Sequence, residues 1–358
     1  MITQNYLRGA LVMATMAATA LASLDAAAQD RVRWKMQSAF PSNLPGLGTS
    51  GVRFVGDVER ISQDTLRLEF FEPGALVPAL ECFEAASQGG VDSCWTTAGY
   101  HTGKIPALAF FTAVPFGPQY GEYFAWMNEG GGKELQNELY AKNNLYSLDC
   151  NAIGPETSGW FRNPIESLDQ LKGLKMRFFG LGAQVMQKLG VNTQLLAGAD
   201  IYPALERGVI DATEFSMPAM DINLGFYQIV KNNYFPGWHQ QISLGELLMH
   251  KPAWDELSDW HKAVLEITCG NNIHVNYAET ERQNPEAMNQ MAQQHGVKIQ
   301  RWNDEQLAAF EKAWHEVIQE ESERDPVFKQ VADSYLAFRD KYKVWGNAQT
   351  LKATYITQ

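Results

Sequence analysis

The chain has 358 residues, 45% of them hydrophobic and 20% charged, which is ordinary for a soluble globular protein and enough for two lobes with sizeable cores. Its formal net charge is −12 and its pI is near 5.1. That balance argues against a nucleic-acid groove, because phosphate binding needs clustered Lys and Arg.

The N-terminus has the layout of a secretory signal peptide. Arg8 precedes an apolar, Ala-rich stretch from about Gly9 to Leu24, and "AAAQ" then offers small residues for cleavage after Ala28. The small-residue ending and the polar "QDR" make a retained membrane anchor the weaker reading. Loss of Arg8 and Asp25 leaves the net charge unchanged. No later stretch is long and apolar enough to span a bilayer. The expected location is therefore outside the cytoplasm, in the periplasm of a Gram-negative source.

After residue 28, "RVRWKMQSAF" alternates as a strand through Val32, Trp34 and Met36, and "PSNLPG" breaks it. Apolar residues on a helical spacing predict a helix from about Leu47 to Ile61. "TLRLEFF" reads as a second strand and "EPGALVP" as a turn. "ALECFEAASQG" reads as a helix ended by Gly89 and Gly90, and "VDSCWTTAGY" as a third strand running into a Gly-Tyr loop. The second half repeats the rhythm. "GLKMRFF" is a strand, "GLGAQVMQKLG" a helix closed by Gly190 and "NTQLLAG" a strand. "DIYPALERG" is a helix with Asp200 as its expected N-cap, and "IDATEF" a strand. From about Ala253 onward the pattern is helical, with one break near "HGVKIQRW". Strands alternating with helices predict an α/β fold with parallel strands. Cys82, Cys94, Cys150 and Cys269 match no zinc spacing, and an oxidising compartment permits disulfides without demanding them in a domain of this size. Buried free thiols are the expectation.

Catalytic motifs are few. There is no G-x-S-x-G elbow, H-E-x-x-H pair or P-loop. The seven histidines show no close ligand pairing, and His250, His261 and His315 read as surface or helix-face residues. "GLGAQV" lacks the third glycine and the acidic residue of a dinucleotide fingerprint, although the free N–H groups of such a turn favour any anion. Arg177 lies near the end of the strand "LKMRFFG", and ligands of parallel α/β sheets bind beyond the carboxyl ends of strands. Its planar fork matches a carboxylate; a surface ion pair is the plainer alternative. Glu214 ends "IDATEF" without a nearby cation in sequence, and a buried carboxylate needs a partner or a metal. Glu156 precedes Trp160 and Phe161, Tyr100 ends "WTTAGY", and "YFPGWHQQ" supplies Trp238 and Gln240. Together these residues predict a small wet site with apolar walls.

"LKGLKMRFFGLGAQVMQKLG", "YPALERGVIDATEF", "YFPGWH" and the long segment from "LVPALECF" to "TAVPFG" resemble the substrate-binding proteins of TRAP (tripartite ATP-independent periplasmic) transporters. The likeness covers nearly all of the chain beyond the signal, and is nearest to the branch that binds 2-oxo acids such as pyruvate through a metal ion. It implies a periplasmic-binding-protein fold: two α/β lobes joined by hinge strands and a long helix, closing on a ligand in the cleft between them. Lobe I is expected from 29–155 and about 241–325, with the spanning helix, and lobe II from 156–240. A helical segment, 326–358, matches one exchanged between protomers of a dimer in that branch. Its apolar residues Phe328, Val331, Tyr335, Leu336, Phe338 and Tyr342 would equally suit docking on the chain's own core. The resemblance implies that Arg177 pairs with the substrate carboxylate, that Tyr100 lies in the pocket, and that Glu214 and the Phe215 carbonyl help to hold the metal.

One departure matters. The branch carries Gln where this chain has Glu156. With a monocarboxylate bound, Arg177 gives one positive charge, while Glu156, Glu214 and substrate give three negative ones. A divalent cation neutralises the set and a monovalent one does not. Burying net charge is costly, and calcium favours several hard oxygen ligands. Calcium is therefore expected first, with sodium the alternative should Glu156 turn to solvent or stay protonated. The functional expectation is a receptor that delivers a small 2-oxo or 2-hydroxy monocarboxylate, such as pyruvate or lactate, to a TRAP permease. The alternatives are a secreted hydrolase using Glu156 and Glu214 as acid and base, and a binding protein that feeds a sensor.

Overall fold

The computed structural model describes residues 31–351, so the expected signal peptide lies outside the described residues. The first part of the chain runs β1 (Val32–Ser38), α1 (Gly48–Ile61), β2 (Leu66–Phe71), α2 (Cys82–Ser87), β3 (Ser93–Thr96), α3 (Tyr120–Glu129), α4 (Gly132–Ala141) and β4 (Leu145–Ile153). The middle runs β5 (Gly159–Phe161), β6 (Lys175–Arg177), α5 (Gly180–Lys188), β7 (Asn192–Gln194), α6 (Gly198–Glu206), β8 (Ala212–Thr213), α7 (Pro218–Leu224) and β9 (Asn232–Phe235). The last part runs β10 (Ser243–His250), α8 (Lys251–Asp255), α9 (Asp259–His295), β11 (Lys298–Arg301), α10 (Asp304–Arg324) and α11 (Pro326–Gln349).

Two sheets define two lobes. One has the strand order β2-β1-β3-β10-β4, the other β11-β9-β5-β8-β6-β7. Within each, the strand–helix–strand units pair in parallel: β1 with β2 and β3, and β6 with β7 and β8. The expected all-parallel arrangement fails where the chain changes lobe. β10 runs antiparallel to β3 and β4, and β5 antiparallel to β8 and β9, because a strand entering from the other lobe needs no helical crossover and can run in either direction.

The chain crosses between the sheets at 154–158 and returns at 236–242. The helix α9 makes the third connection. The strand β11 corrects the expected extent of lobe I: Lys298–Arg301 pairs in parallel with β9 in the second sheet, so the chain re-enters lobe II after α9. The break seen in sequence near "HGVKIQRW" is thus a strand. Asp200 is also corrected. Helix α6 has Ala197 at its N-cap, which places Asp200 inside the first turn, where a carboxylate still complements the helix dipole.

Strand β4 is an edge of its sheet, and unpaired edge carbonyls invite wrong pairing. Helix α9 covers them. Asn272 donates to the Cys150 carbonyl at 2.8 Å and Asn276 to the Ala152 carbonyl at 3.0 Å. A disulfide joins the same two elements, Cys150 to Cys269, and a second joins Cys82 to Cys94. The expected free thiols are therefore overturned: among the described residues no cysteine is free. Residues 119 apart in sequence meet only because α9 lies along β4.

Helix α11 docks on its own chain. Phe328 and Tyr335 pack on Phe110, with ring centroids 4.9 and 5.4 Å apart, and Tyr335 meets Trp126 edge-on. Arg339 donates to Glu122 at 3.0 Å and to the Phe116 carbonyl at 2.9 Å. Leu336, Val344 and Trp345 on the same helix stay exposed.

The two disulfides close loops of very different length, 119 against 12 residues, and the entropy removed from the unfolded chain grows with the logarithm of loop length. The Cys150→Ala/Cys269→Ala pair should therefore lose about 2 kcal/mol more than Cys82→Ala/Cys94→Ala. Guanidinium unfolding of both double variants measures this, and equal losses would contradict it.

Candidate ligand and metal site

The cleft between the lobes closes over a cavity. Lobe I contributes Phe40, Leu47, Thr97 and Tyr100; the crossing segments and the start of β10 contribute Glu156, Gln240, Ser243 and Leu244; lobe II contributes Arg177, Phe179, Phe215 and Ser216. The lobes touch here. The Tyr100 ring meets Phe179 edge-on at 5.7 Å, and a Cβ on Gly99 would run into the Phe179 ring, so only glycine lets the two loops come this close. The cavity leaves about 40 Å³ for the centres of water-sized groups. One water needs roughly 10–15 Å³ on that measure, so a molecule of a few heavy atoms fills it.

Strands β6 and β8 are parallel neighbours, with Arg177 beside Thr213, and that register puts Arg177 and Glu214 together at the carboxyl ends of the strands. Both are about 1% exposed. Arg177 Nη1 donates to Glu214 Oε2 at 2.9 Å and to the Glu214 carbonyl at 2.7 Å, and its Nε donates to the Leu196 carbonyl at 3.2 Å. The Phe179 N–H donates to Glu214 Oε1 at 2.7 Å. Arg177 is thus the cation that the sequence around Glu214 lacks. Two of its three nitrogens are committed inside lobe II, and the residue lines the cavity together with Tyr100. Phe215 and Phe179 flank the guanidinium, 5.3 and 5.9 Å from it. Burial pushes the Glu214 carboxyl upward, while Arg177 and the Phe179 N–H pull it back. Burial also pushes the Tyr100 hydroxyl up to about 12, so it stays protonated and can donate.

The crossing segments are stitched to each other. The Glu156 N–H donates to the Gln240 carbonyl at 3.3 Å, Thr157 to the Ser216 carbonyl at 3.3 Å and Ser158 to the Tyr234 carbonyl at 2.7 Å. Gly237 makes this possible, since a Cβ there would collide with the Glu156 carbonyl. Glu156 is thereby held 6% exposed. Burial raises its carboxyl to about 8, against hydrogen bonds to Ser216 and Gln240 and the charge of Arg177. His239 stands behind it, with Nε2 3.4 Å from Glu156 Oε2. Burial lowers the imidazole to about 4, so Glu156 and His239 face each other uncharged near pH 7.

Of the residues expected in the site, Tyr100, Glu156, Arg177, Phe215 and Gln240 all line the cavity, and Glu214 lies directly behind it against Arg177. Trp238 does not line it. Its indole packs against Phe116, Phe178 and Phe310 at 5.8, 6.0 and 4.9 Å. It points away from the cleft because the next turn of the crossing presents Gln240 to the cavity instead. His239 was missed in sequence. Its only signal is its position between Trp238 and Gln240 in "GWHQQ", in a loop whose neighbours cannot be read locally.

Among the described residues, Glu156, Glu214 and His239 each offer one ligand atom, all within 4.8 Å of one another. Two carboxylates and an unpaired imidazole at that spacing fit a bound cation.

The family model for DctP, bacterial extracellular solute-binding protein, family 7, matches residues 40–325. A monocarboxylate 2-oxoacid-binding periplasmic protein of a Nostoc species is 33% identical over 320 residues, 89% of this chain and 87% of its own length. A TRAP transporter solute-binding protein from Bordetella bronchiseptica superposes with a TM-score of 0.87 at 31% identity, over 90% of this chain and 95% of that one. It is a mixed-occupancy dimer with copurified calcium and picolinate in one active site, the other being apo. TRAP periplasmic proteins from Pseudoalteromonas atlantica and Colwellia psychrerythraea, each 26% identical, superpose at 0.86 and 0.85 over 89% of this chain and 97% and 98% of theirs. The first holds sodium and pyruvate, the second calcium and pyruvate.

The raised Glu156 carboxyl has a consequence for stability. Its ordinary value is 4.5 and its folded value about 8, so the folded state keeps a proton that the unfolded state loses. The resulting stabilisation is fully present below about pH 4.5 and lost as pH rises through about 8. In metal-free protein, Glu156→Gln should flatten the fall in unfolding free energy between pH 5 and pH 8.5. An unchanged slope in denaturant titrations at the two pH values would show that Glu156 is already ionised.

Proposed function

The chain belongs to family 7 of the bacterial extracellular solute-binding proteins, the DctP-type TRAP receptors, whose members carry solutes and do not convert them; from that premise we propose that it captures a small 2-oxo or 2-hydroxy monocarboxylate in the periplasm for a TRAP permease. The observation that carries this reading is the small cavity between the lobes, lined by Arg177 and Tyr100, with a pair of carboxyls beside them. Arg177 Nη2 and the Tyr100 hydroxyl donate to the ligand carboxylate. Glu156, Glu214 and the Phe215 carbonyl hold a cation, which supplies positive charge to the carboxylate and the adjacent oxo or hydroxyl oxygen. The apolar rings of Phe40, Phe179 and Phe215 exclude water, and both polar interactions strengthen as it leaves.

The charge count supports a divalent ion. Arg177 and Glu214 neutralise each other, leaving Glu156 and one ligand carboxylate to be balanced. Calcium is the first choice on that count, and the Bordetella and Colwellia proteins hold it; sodium, held by the Pseudoalteromonas protein, requires Glu156 to keep its proton. The two disulfides suit an oxidising compartment. A homodimer belongs to the same reading, with the exposed apolar residues of α11 available to it. The hydrolase alternative is set aside, because the family binds solutes and does not convert them.

Calorimetry with pyruvate and lactate should show binding in the presence of calcium and its loss after chelation. Tyr100→Phe, which keeps the ring, should weaken binding by about tenfold, and Arg177→Ala by about 10–100-fold, as expected for charge-assisted hydrogen bonds. Affinity untouched by chelator, or turnover of either acid, would overturn the reading.

A further inference from the structure

A row of three hydroxyls borders the cavity on the lobe I side, and the reading above gives it no task. Thr97 follows β3, Ser243 opens β10, and both line the cavity. Thr112 lies behind them, fully buried. The Thr97 and Thr112 hydroxyls are 2.8 Å apart, the Thr112 and Ser243 hydroxyls 3.0 Å apart, and Thr97 donates to the Leu244 carbonyl at 3.2 Å. Each hydroxyl has one proton and two lone pairs, so three protons serve three bonds. A carbonyl only accepts, so the Thr97 proton goes to Leu244. The Thr97 oxygen then accepts from Thr112, and the Thr112 oxygen from Ser243. No other arrangement makes all three bonds. Thr97 and Ser243 are left with lone pairs and no proton to offer the cavity.

We propose that this hydroxyl chain sets specificity: the lone pairs of Ser243 select a small acid that carries a hydroxyl on the carbon beyond its 2-oxo or 2-hydroxy group, over one that carries a methyl there. The inference rests on the monocarboxylate reading and deepens it by naming that substituent. In that reading the carboxylate and its neighbouring oxygen are held by Arg177, Tyr100 and the cation, whose protein ligands come from lobe II and the crossing. The rest of the ligand therefore faces the lobe I wall, where Thr97 and Ser243 stand among Leu47, Ile153 and Leu244. A ligand hydroxyl donates to Ser243 and extends the row by one bond. A methyl group fills the same space but leaves the lone pairs out of water and without a donor, which is unfavourable for a buried acceptor. A site built around a hydrogen bond rejects an analogue lacking the group more strongly than an apolar pocket rejects one methylene. Thr112 does not line the cavity. It is a positioning residue, holding the Ser243 proton away from the ligand.

Calorimetry in the presence of calcium compares two acids of equal size, hydroxypyruvate and 2-oxobutyrate, with pyruvate as the control that has neither group. The wild type should bind hydroxypyruvate about tenfold more tightly than 2-oxobutyrate, as one added hydrogen bond gives. This comparison needs no variant to fold. Ser243→Ala removes the acceptor and should bring the two affinities to within about threefold of each other. Thr112→Val keeps the shape but frees the Ser243 proton to turn into the cavity. It should reduce the preference to the same extent while leaving pyruvate affinity within about twofold of wild type, a selectivity change that a merely structural residue would not cause. Equal affinities in the wild type, a preference for 2-oxobutyrate, binding of pyruvate alone, or a preference for hydroxypyruvate kept in either variant would overturn the proposal. Failure of the wild type to bind any of the three acids would overturn the monocarboxylate reading itself.

Discussion

The site depends on a buried ion pair. Arg177 and Glu214, both about 1% exposed and 2.9 Å apart, sit at the ends of adjacent parallel strands, where removing either would strand the other charge at a cost of about 3–5 kcal/mol. Glu214 spends its carboxylate on Nη1 and on the Phe179 N–H, and its carbonyl on Nη1 again. These bonds hold the guanidinium in place beside the cavity. The pair also sets the electrostatics around it. Being neutral as a unit, it adds no net charge, so Glu156 decides how much positive charge the cleft must import.

The second constraint is the way the chain crosses between lobes. Glu156 lies in the outgoing crossing, His239 and Gln240 in the returning one, and backbone hydrogen bonds join the two segments to each other and to Ser216. Two of the three residues suited to a cation, Glu156 and His239, therefore occupy the connections between the lobes, with Arg177 and Glu214 on one side and Tyr100 on the other. Gly99 and Tyr100 of one lobe lie against Phe179 of the other. The same contact between the lobes sets the phenol beside the guanidinium. The long helix α9, tied to β4 by a disulfide and two asparagine side chains, keeps this end of the frame stiff while the crossings carry the chain from one lobe to the other.

Several expectations failed for one reason: they concerned partners far away in sequence. Cys150 and Cys269 read as free thiols because nothing in their local sequence announces that α9 will lie along β4. Trp238 was placed in the site with its neighbour Gln240. Adjacent residues in an irregular crossing point in different directions, and only Gln240 reaches the cavity. Lys298–Arg301 read as a break between helices, although its backbone finds its partner in β9, more than sixty residues earlier. His239 offered no spacing to a second ligand, because its neighbours Glu156 and Glu214 come from separate segments.

Local pattern did determine a good deal. The alternation of Trp34 and Met36, the glycine-entered helix after Arg177 and a strand within "IDATEF", shorter than expected at Ala212–Thr213, each follow from side-chain periodicity and backbone freedom, and all stand in the fold. Residue chemistry at strand ends and in loops was enough to bring Arg177, Glu214, Glu156, Tyr100 and Gln240 forward as candidates, and the structure gathers them at one cavity. The tertiary structure alone decided their pairing. It gave Glu214 a cation, committed two of the three Arg177 nitrogens inside lobe II and set an unpaired imidazole beside Glu156. A sequence states which groups a chain carries and in what local conformation. Which of them meet, in how little water and at what charge depends on the register between β6 and β8 and on the paths of two crossing segments, and long-range packing fixes both.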